Sequence, residues 1–176
     1  ARKIKVGQTT AAAWASGGNM GTARQAHTGG GTQTAGFGVG GIISTTVSAL
    51  SEEYNGSAWA EGNNLGTARY ELAGAGTQTA GMAFGGWTTG GDATTNKALT
   101  EEYDGTNWSE VGDLNSARNG TRGCGVSTAA LCVGGNVPTP ADTGITEEFN
   151  GTSWTEVGDL TTARRGLGTM VTTTAG

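Results

Sequence analysis

Short apolar runs broken by turn residues set the pattern of this chain. Ala80 to Phe84 is a small apolar run ended by Gly85-Gly86, and its length and residue types favour a strand over a helix. Before it, a run from Arg69-Tyr70 to Gly76 reads as a strand, with a turn at Thr77-Gln78. After it, Thr100-Glu101-Glu102-Tyr103 reads as a third strand, which turns at Asp104-Gly105 and returns as a fourth through Trp108. Asn-Gly or Asp-Gly stands at that turn in three copies, supplying the positive φ angles of a two-residue hairpin turn. The unit is four short strands, and helix has little place in it.

The unit recurs. Trp14, Trp59, Trp108 and Trp154 are separated by 45, 49 and 46 residues, and Arg24, Arg69, Arg118 and Arg164 each follow their Trp by ten. A Gly-Gly pair comes sixteen to seventeen residues after the Arg (Gly40-Gly41, Gly85-Gly86, Gly134-Gly135). A Glu-Glu-aromatic triplet begins seven residues before the next Trp (Glu52-Glu53-Tyr54, Glu101-Glu102-Tyr103, Glu147-Glu148-Phe149). Between Gly-Gly and Glu-Glu lie 10, 14 and 11 residues, which accounts for the whole variation in period and puts all insertion tolerance in one loop. A four-stranded antiparallel unit repeating at this interval cannot bury both faces alone, so copies are expected to stack around an axis as propeller blades. The expected fold is all-β, in one domain over residues 1–176. About three complete blades (19–63, 64–112, 113–158) have partial blades at both ends (1–18, 159–176).

Gly-Gly, then an aromatic followed by Asp or Asn and Gly, then Trp, then Arg, resembles the kelch repeat of β-propellers over nearly the whole chain. More narrowly, EEYDGTNWSEVGDLNSAR with AGAGTQTAG resembles the Gly/Thr-rich kelch-like repeats of bacteriophage structural proteins. The inner strands depart from the cellular kelch pattern in being rich in Gly, Ala and Thr, which leaves a thinner core. Aligned on the repeat, the sequence stops after a first strand, so further residues or another chain are expected to complete the blade. A resemblance to galactose oxidase, whose propeller is kelch-like, would imply copper held by two histidines and tyrosines. His27 is the only histidine, so that chemistry is set aside and His27 reads as a partly exposed strand residue.

Composition narrows the classes further. Glycine contributes 34 of 176 residues, but there is no Gly-X-Y period and only two prolines, so a collagen-like helix is ruled out. Low charge and regularly spaced tryptophans argue against disorder. A net charge of −5 argues against nucleic acid as a partner. No apolar run approaches the roughly 18–20 residues of a membrane span, so membrane insertion is not expected. No cofactor or metal is implied, because Asp92 and Asp142 lack calcium-type ligand spacing. Cys124 and Cys132 fall on the first two strands of one blade and read as free thiols packed as small residues.

Residues present once per blade read as structural, since a catalytic site is asymmetric. Arg24, Arg69, Arg118 and Arg164, each expected to begin a first strand, should bond carbonyls or pair with a repeated Glu and bridge the blades. Neighbouring strand residues face opposite ways, so one Glu of each pair should meet the Arg while the other is solvated. Trp14, Trp59, Trp108 and Trp154 should pack between blades. Binding is expected in the variable loops, at Trp87, Asp92, Lys97, Asn136 and Asp142, with Pro138 and Pro140, all on the face that carries the Gly-Asp-Leu segments. No catalytic constellation is found. The chain is therefore expected to be a non-catalytic structural or adhesive protein. The phage resemblance implies a virion appendage, a fibre, tail or capsid-surface component, located in the virion or outside the cell. Its partners would be copies of itself, other virion proteins, or a host-surface glycan or protein. The alternative is a secreted or surface carbohydrate-binding or carbohydrate-active propeller of a bacterium.

Overall fold

The computed structural model describes residues 17–89, 95–138 and 141–168. Among them there is no α-helix. The strands in chain order are β1 (Thr28–Thr32), β2 (Ala35–Val39), β3 (Ile42–Ile43), β4 (Thr46–Val47), β5 (Ser51–Tyr54), β6 (Trp59–Glu61), β7 (Ala73–Thr77), β8 (Ala80–Phe84), β9 (Thr100–Tyr103), β10 (Trp108–Glu110), β11 (Arg122–Val126), β12 (Ala129–Val137), β13 (Ala141–Phe149) and β14 (Trp154–Glu156). They form three four-stranded antiparallel sheets, β1-β2-β5-β6, β7-β8-β9-β10 and β11-β12-β13-β14, plus the small hairpin β3-β4. No closed ring forms among the described residues.

Three local expectations are corrected. Each first strand starts four residues after its Arg, at Thr28, Ala73 and Arg122, because Ala26, Glu71 and Gly120 have φ of 53, 51 and 58° and break the extended backbone. The turn after β7 is at Gln78-Thr79, since Thr77 still pairs with Ala80. The loop between third and fourth strands has four residues, closed by the pair Tyr103↔Trp108. There Asp104 Oδ1 accepts from the N–H groups of Thr106 and Asn107 at 2.8 and 2.7 Å, as Asn55 and Asn150 do in the other copies. Asp or Asn is thus needed for its side-chain oxygen, and only the glycine (Gly56, Gly105, Gly151) takes a positive φ.

The variable segment is built differently in each unit. In the first it folds into β3-β4. In the third, the 11-residue spacer lets the ladder run on past a register shift between Val133 and Gly135 to Val137↔Ala141. Asn136 and Asp142, expected in a loop, are therefore paired strand residues.

The first strands converge, with β7 lying against both β1 and β11. A Cβ on Gly123 would stand 2.8 Å from the Gly74 carbonyl, and one on Gly74 3.2 Å from that of Gly29, so the small inner residues permit backbone-to-backbone approach. Two main-chain bonds recur at each junction. Gly41, Gly86 and Gly135 donate to the carbonyls of Arg69, Arg118 and Arg164 of the following unit, at 2.8, 2.8 and 2.9 Å. Glu71, Gly120 and Gly166 donate back to the carbonyls of Ala26, Glu71 and Gly120, each at 2.9 Å.

Apolar side chains fill the space farther out. Phe37, Val39, Leu65, Leu72 and Ala83 form one cluster between the first and second sheets, joined by Trp108. Met82, Phe84, Leu114, Cys132, Phe149 and Trp154 belong to the other, between the second and third. Trp154 Nε1 donates to Thr100 Oγ1 at 3.0 Å across that second junction. At the first junction the corresponding atoms, Trp108 Nε1 and Ser51 Oγ, are buried without a hydrogen-bond partner. Thr100→Val is accordingly expected to cost about 1–3 kcal/mol by leaving an indole N–H unpaired, while Ser51→Ala should be near neutral. Urea denaturation of the two variants distinguishes them.

A further tie between the first two sheets is the Tyr103 hydroxyl, which donates to Glu53. Burial and Glu53 both raise the Tyr103 pKa. The third unit has Phe149 at this position and makes no such bond. Tyr103→Phe should lower stability by about 1.5–3 kcal/mol, the worth of a hydrogen bond to a charged group, and a comparable loss is not expected from Phe149→Tyr. Equal melting temperatures for Tyr103→Phe and the parent would contradict this.

Candidate functional site

The repeated charges hold single units together. Arg24 meets Glu52 at 3.2 Å, Arg69 meets Glu101 at 2.8 Å and Arg118 meets Glu147 at 2.9 Å, all three guanidinium side chains being fully buried. Arg69 Nη1 also donates to the carbonyls of Gly85 and Leu99, each at 2.8 Å, so one side chain joins the ends of β8 and β9. The other carboxylate oxygen of each Glu accepts from a main-chain N–H before the Arg: Gly21, Gly66 or Asn115, at 2.5, 2.7 and 2.7 Å. Burial lowers the pKa of Arg24 and Arg69, with Glu52 and Glu101 opposing it. These partners all lie within the unit of the Arg itself. The side chain therefore does not bridge units, and the crossing is made by its carbonyl. Arg164 is exposed and donates from Nε to Thr162 O.

The second Glu of each pair varies. Glu53 accepts from Tyr103 and Gln78, Glu102 is half-buried with its pKa raised by burial, and Glu148 is exposed. Of the tryptophans, Trp108 stacks on Tyr103 at 4.9 Å and meets Phe37 of the first sheet edge-on at 5.9 Å. Trp154 packs on Phe149 and reaches Phe84 of the second sheet at 4.8 Å. Trp59 lies on Tyr54 of its own sheet at 5.2 Å. Trp14, Asp92 and Pro140 lie outside the described residues.

The unrepeated polar residues gather elsewhere. A cavity of about 670 Å³ is lined by Ala26 and His27 of the first unit, Glu71, Leu72 and Trp87 of the second, Gly120 and Arg122 of the third, and Arg165 and Gly166 beyond it. Four successive units thus meet around it. The Ala26, Glu71, Gly120 and Gly166 positions are those linked by the junction hydrogen bonds, which hold its wall by main chain alone. Trp87 follows Gly-Gly, exchanges main-chain hydrogen bonds with Tyr70, and sets its ring edge-on to that tyrosine at 5.5 Å. His27 precedes β1 rather than lying within it; partial burial and the Arg24 guanidinium lower its pKa, which leaves the imidazole neutral at pH 7. Arg165 Nε lies 3.4 Å from Asp142 Oδ1 in an exposed pair.

Of the other candidate loop residues, Lys97 does not line the cavity. Its main chain donates to Gly86 O and accepts from Arg118 N at the junction. Asn136 is buried, its carbonyl accepting from Asn96, whose Oδ1 accepts from the fully buried Asn119. Glu71, Arg122 and Arg165 lie outside the variable loop to which the pattern of insertions points. The signal was in the repeat itself, where they interrupt the small or neutral residues that other units carry: Arg122 stands in register with Thr28 and Ala73, and Arg165 with Gln25, Tyr70 and Asn119.

Among the described residues, no group of three or more His, Cys, Asp or Glu is placed to hold a metal. Cys124 and Cys132 are free, with Cys124 opposite Leu131 and Cys132 opposite Gly123, and burial raises both thiol pKa values. Comparison with protein-family models and with the curated proteins finds no match.

Proposed function

We propose that the chain is a segment of a kelch-like β-propeller that acts as a non-catalytic structural or adhesive protein, in a phage virion appendage. The supporting observation is a division of labour. The repeated Arg and the first Glu of each triplet are spent on buried pairs inside each unit, while the unrepeated Glu71, Arg122 and Arg165 line a cavity where four successive units meet. Such a frame suits presentation of a binding surface, with copies of the chain or other virion proteins completing the assembly. The virion assignment rests on the resemblance of EEYDGTNWSEVGDLNSAR to phage repeats.

Size fractionation of the source material, with the chain detected by mass spectrometry, tests this reading. The chain is expected in virus-sized particles. Its presence only as free protein would overturn the appendage, and release of reducing ends from a glycan by the purified chain would overturn the non-catalytic reading.

A further inference from the structure

We infer that the cavity between the units binds the terminal acidic sugar of a glycan, a pyranose bearing one carboxylate, and this rests on the adhesive reading of the same site. Arg122 is the anchor. Its Nη1 donates only to the carbonyl of the adjoining Thr121, and it forms no ion pair among the described residues, so most of its donor fork is free to take a carboxylate in two parallel bonds. Arg165 comes from the next unit. Its pair with Asp142 is long and open to water, with side chains 56% and 42% exposed, and such a pair exchanges readily for a ligand carboxylate.

The rest of the lining suits a sugar ring. Trp87 is held by Tyr70 and by main-chain bonds on both sides of its own strand-like segment, so an aromatic surface is fixed in place before any ligand arrives. Glu71, also in no ion pair among the described residues, and the neutral His27 supply acceptors for hydroxyl groups. Pinning of the wall by the junction bonds limits the ordering cost of binding. A volume of about 670 Å³ lies within the usual range for ligand cavities of about 300–1,000 Å³.

Charge selects one carboxylate over a polyanion. The lining carries two guanidiniums and the carboxylate of Glu71, with Asp142 beside Arg165, which leaves Arg122, among the described residues, as the one unpaired guanidinium for a single carboxylate, in a chain whose net charge of −5 repels extended acidic polymers. An acidic peptide would satisfy the two Arg but would leave the Trp87 surface and the hydroxyl acceptors without a matching group.

Calorimetric titration of the full chain tests the inference with three probes: an oligosaccharide ending in glucuronic acid, the same oligosaccharide with that carboxyl reduced to the alcohol, and an acidic peptide. The acidic oligosaccharide is expected to bind, and the reduced one to bind at least about tenfold more weakly. Arg122→Gln should weaken the first by about tenfold or more without affecting the second, and Trp87→Ala should weaken both. Circular dichroism of both variants should match the parent. Equal affinity for acid and alcohol, unchanged binding by Arg122→Gln, stronger binding of the peptide, or no saccharide binding at all would overturn the inference. Any of these, with the chain still found in virus-sized particles, would leave the proposed function standing. Absence from particles with the sugar selectivity intact would do the reverse.

Discussion

Glu147→Ala is expected to destabilise the chain by about 3–5 kcal/mol, the cost of leaving a buried charge without its partner. Arg118 and Glu147 both have fully buried side chains, 2.9 Å apart. Glu147 Oε2 also accepts from the N–H and the side-chain amide of Asn115, at 2.7 and 2.8 Å, so truncation removes these two bonds as well, at an exposed residue whose amide keeps its bond to Trp154 O. A domain of ordinary stability, about 5–15 kcal/mol, would lose a large part of it. Replacing both charges, as in Arg118→Met with Glu147→Leu, should cost less than the single change, because no ion remains to be desolvated. Urea denaturation of the single and double variants measures both. A double variant as unstable as Glu147→Ala would mean that the bonds to Asn115, rather than the ion pair, carry the effect.

Gly40→Ala should cost about 2–4 kcal/mol, through a mechanism confined to the junction between units. Gly40 has φ of 71°, and a Cβ there would lie 2.6 Å from the Arg69 carbonyl, the same atom to which Gly41 donates. Alanine therefore adds a left-handed conformation at a β-carbon-bearing residue and drives the second unit away from the first. Gly85 and Gly134 repeat the geometry, with φ of 67 and 60° and the next Arg carbonyl at 2.8 and 2.5 Å. Gly158 is the control. It has no neighbour within 4 Å of its Cβ position and no positive φ, so Gly158→Ala should leave the denaturation midpoint unchanged or raise it slightly. Equal effects from the two substitutions would show that the first acts through chain flexibility and not through the junction.

Much of the strand pattern was legible because each unit restates it. The expected bounds of Ala80–Phe84 and Thr100–Tyr103 match β8 and β9 as they stand in the structure. Alternation along β9 put one Glu of the pair toward Arg69, and that is where Glu101 lies. The start of β7 was less legible, since nothing in Tyr70-Glu71 announces that Glu71 takes a positive φ. That conformation accompanies the junction bond from Glu71 N–H to Ala26, a contact between units that no single-unit pattern contains. Asn136 was misplaced for a related reason: a spacer of given length can loop out, form its own hairpin or prolong its strands, and the choice depends on what packs beside it.

By itself the sequence determined the period, the four-strand unit, the structural place of the repeated Arg and the insertion point, because each of these depends on residue types at short, repeated separations. Only the tertiary structure decided which residues share the cavity. Glu71, Arg122 and Arg165 are scattered through three units, and what unites them is the convergence of backbones at successive junctions, which brings positions just after the repeated Arg of different units together and sets distances that no single unit contains.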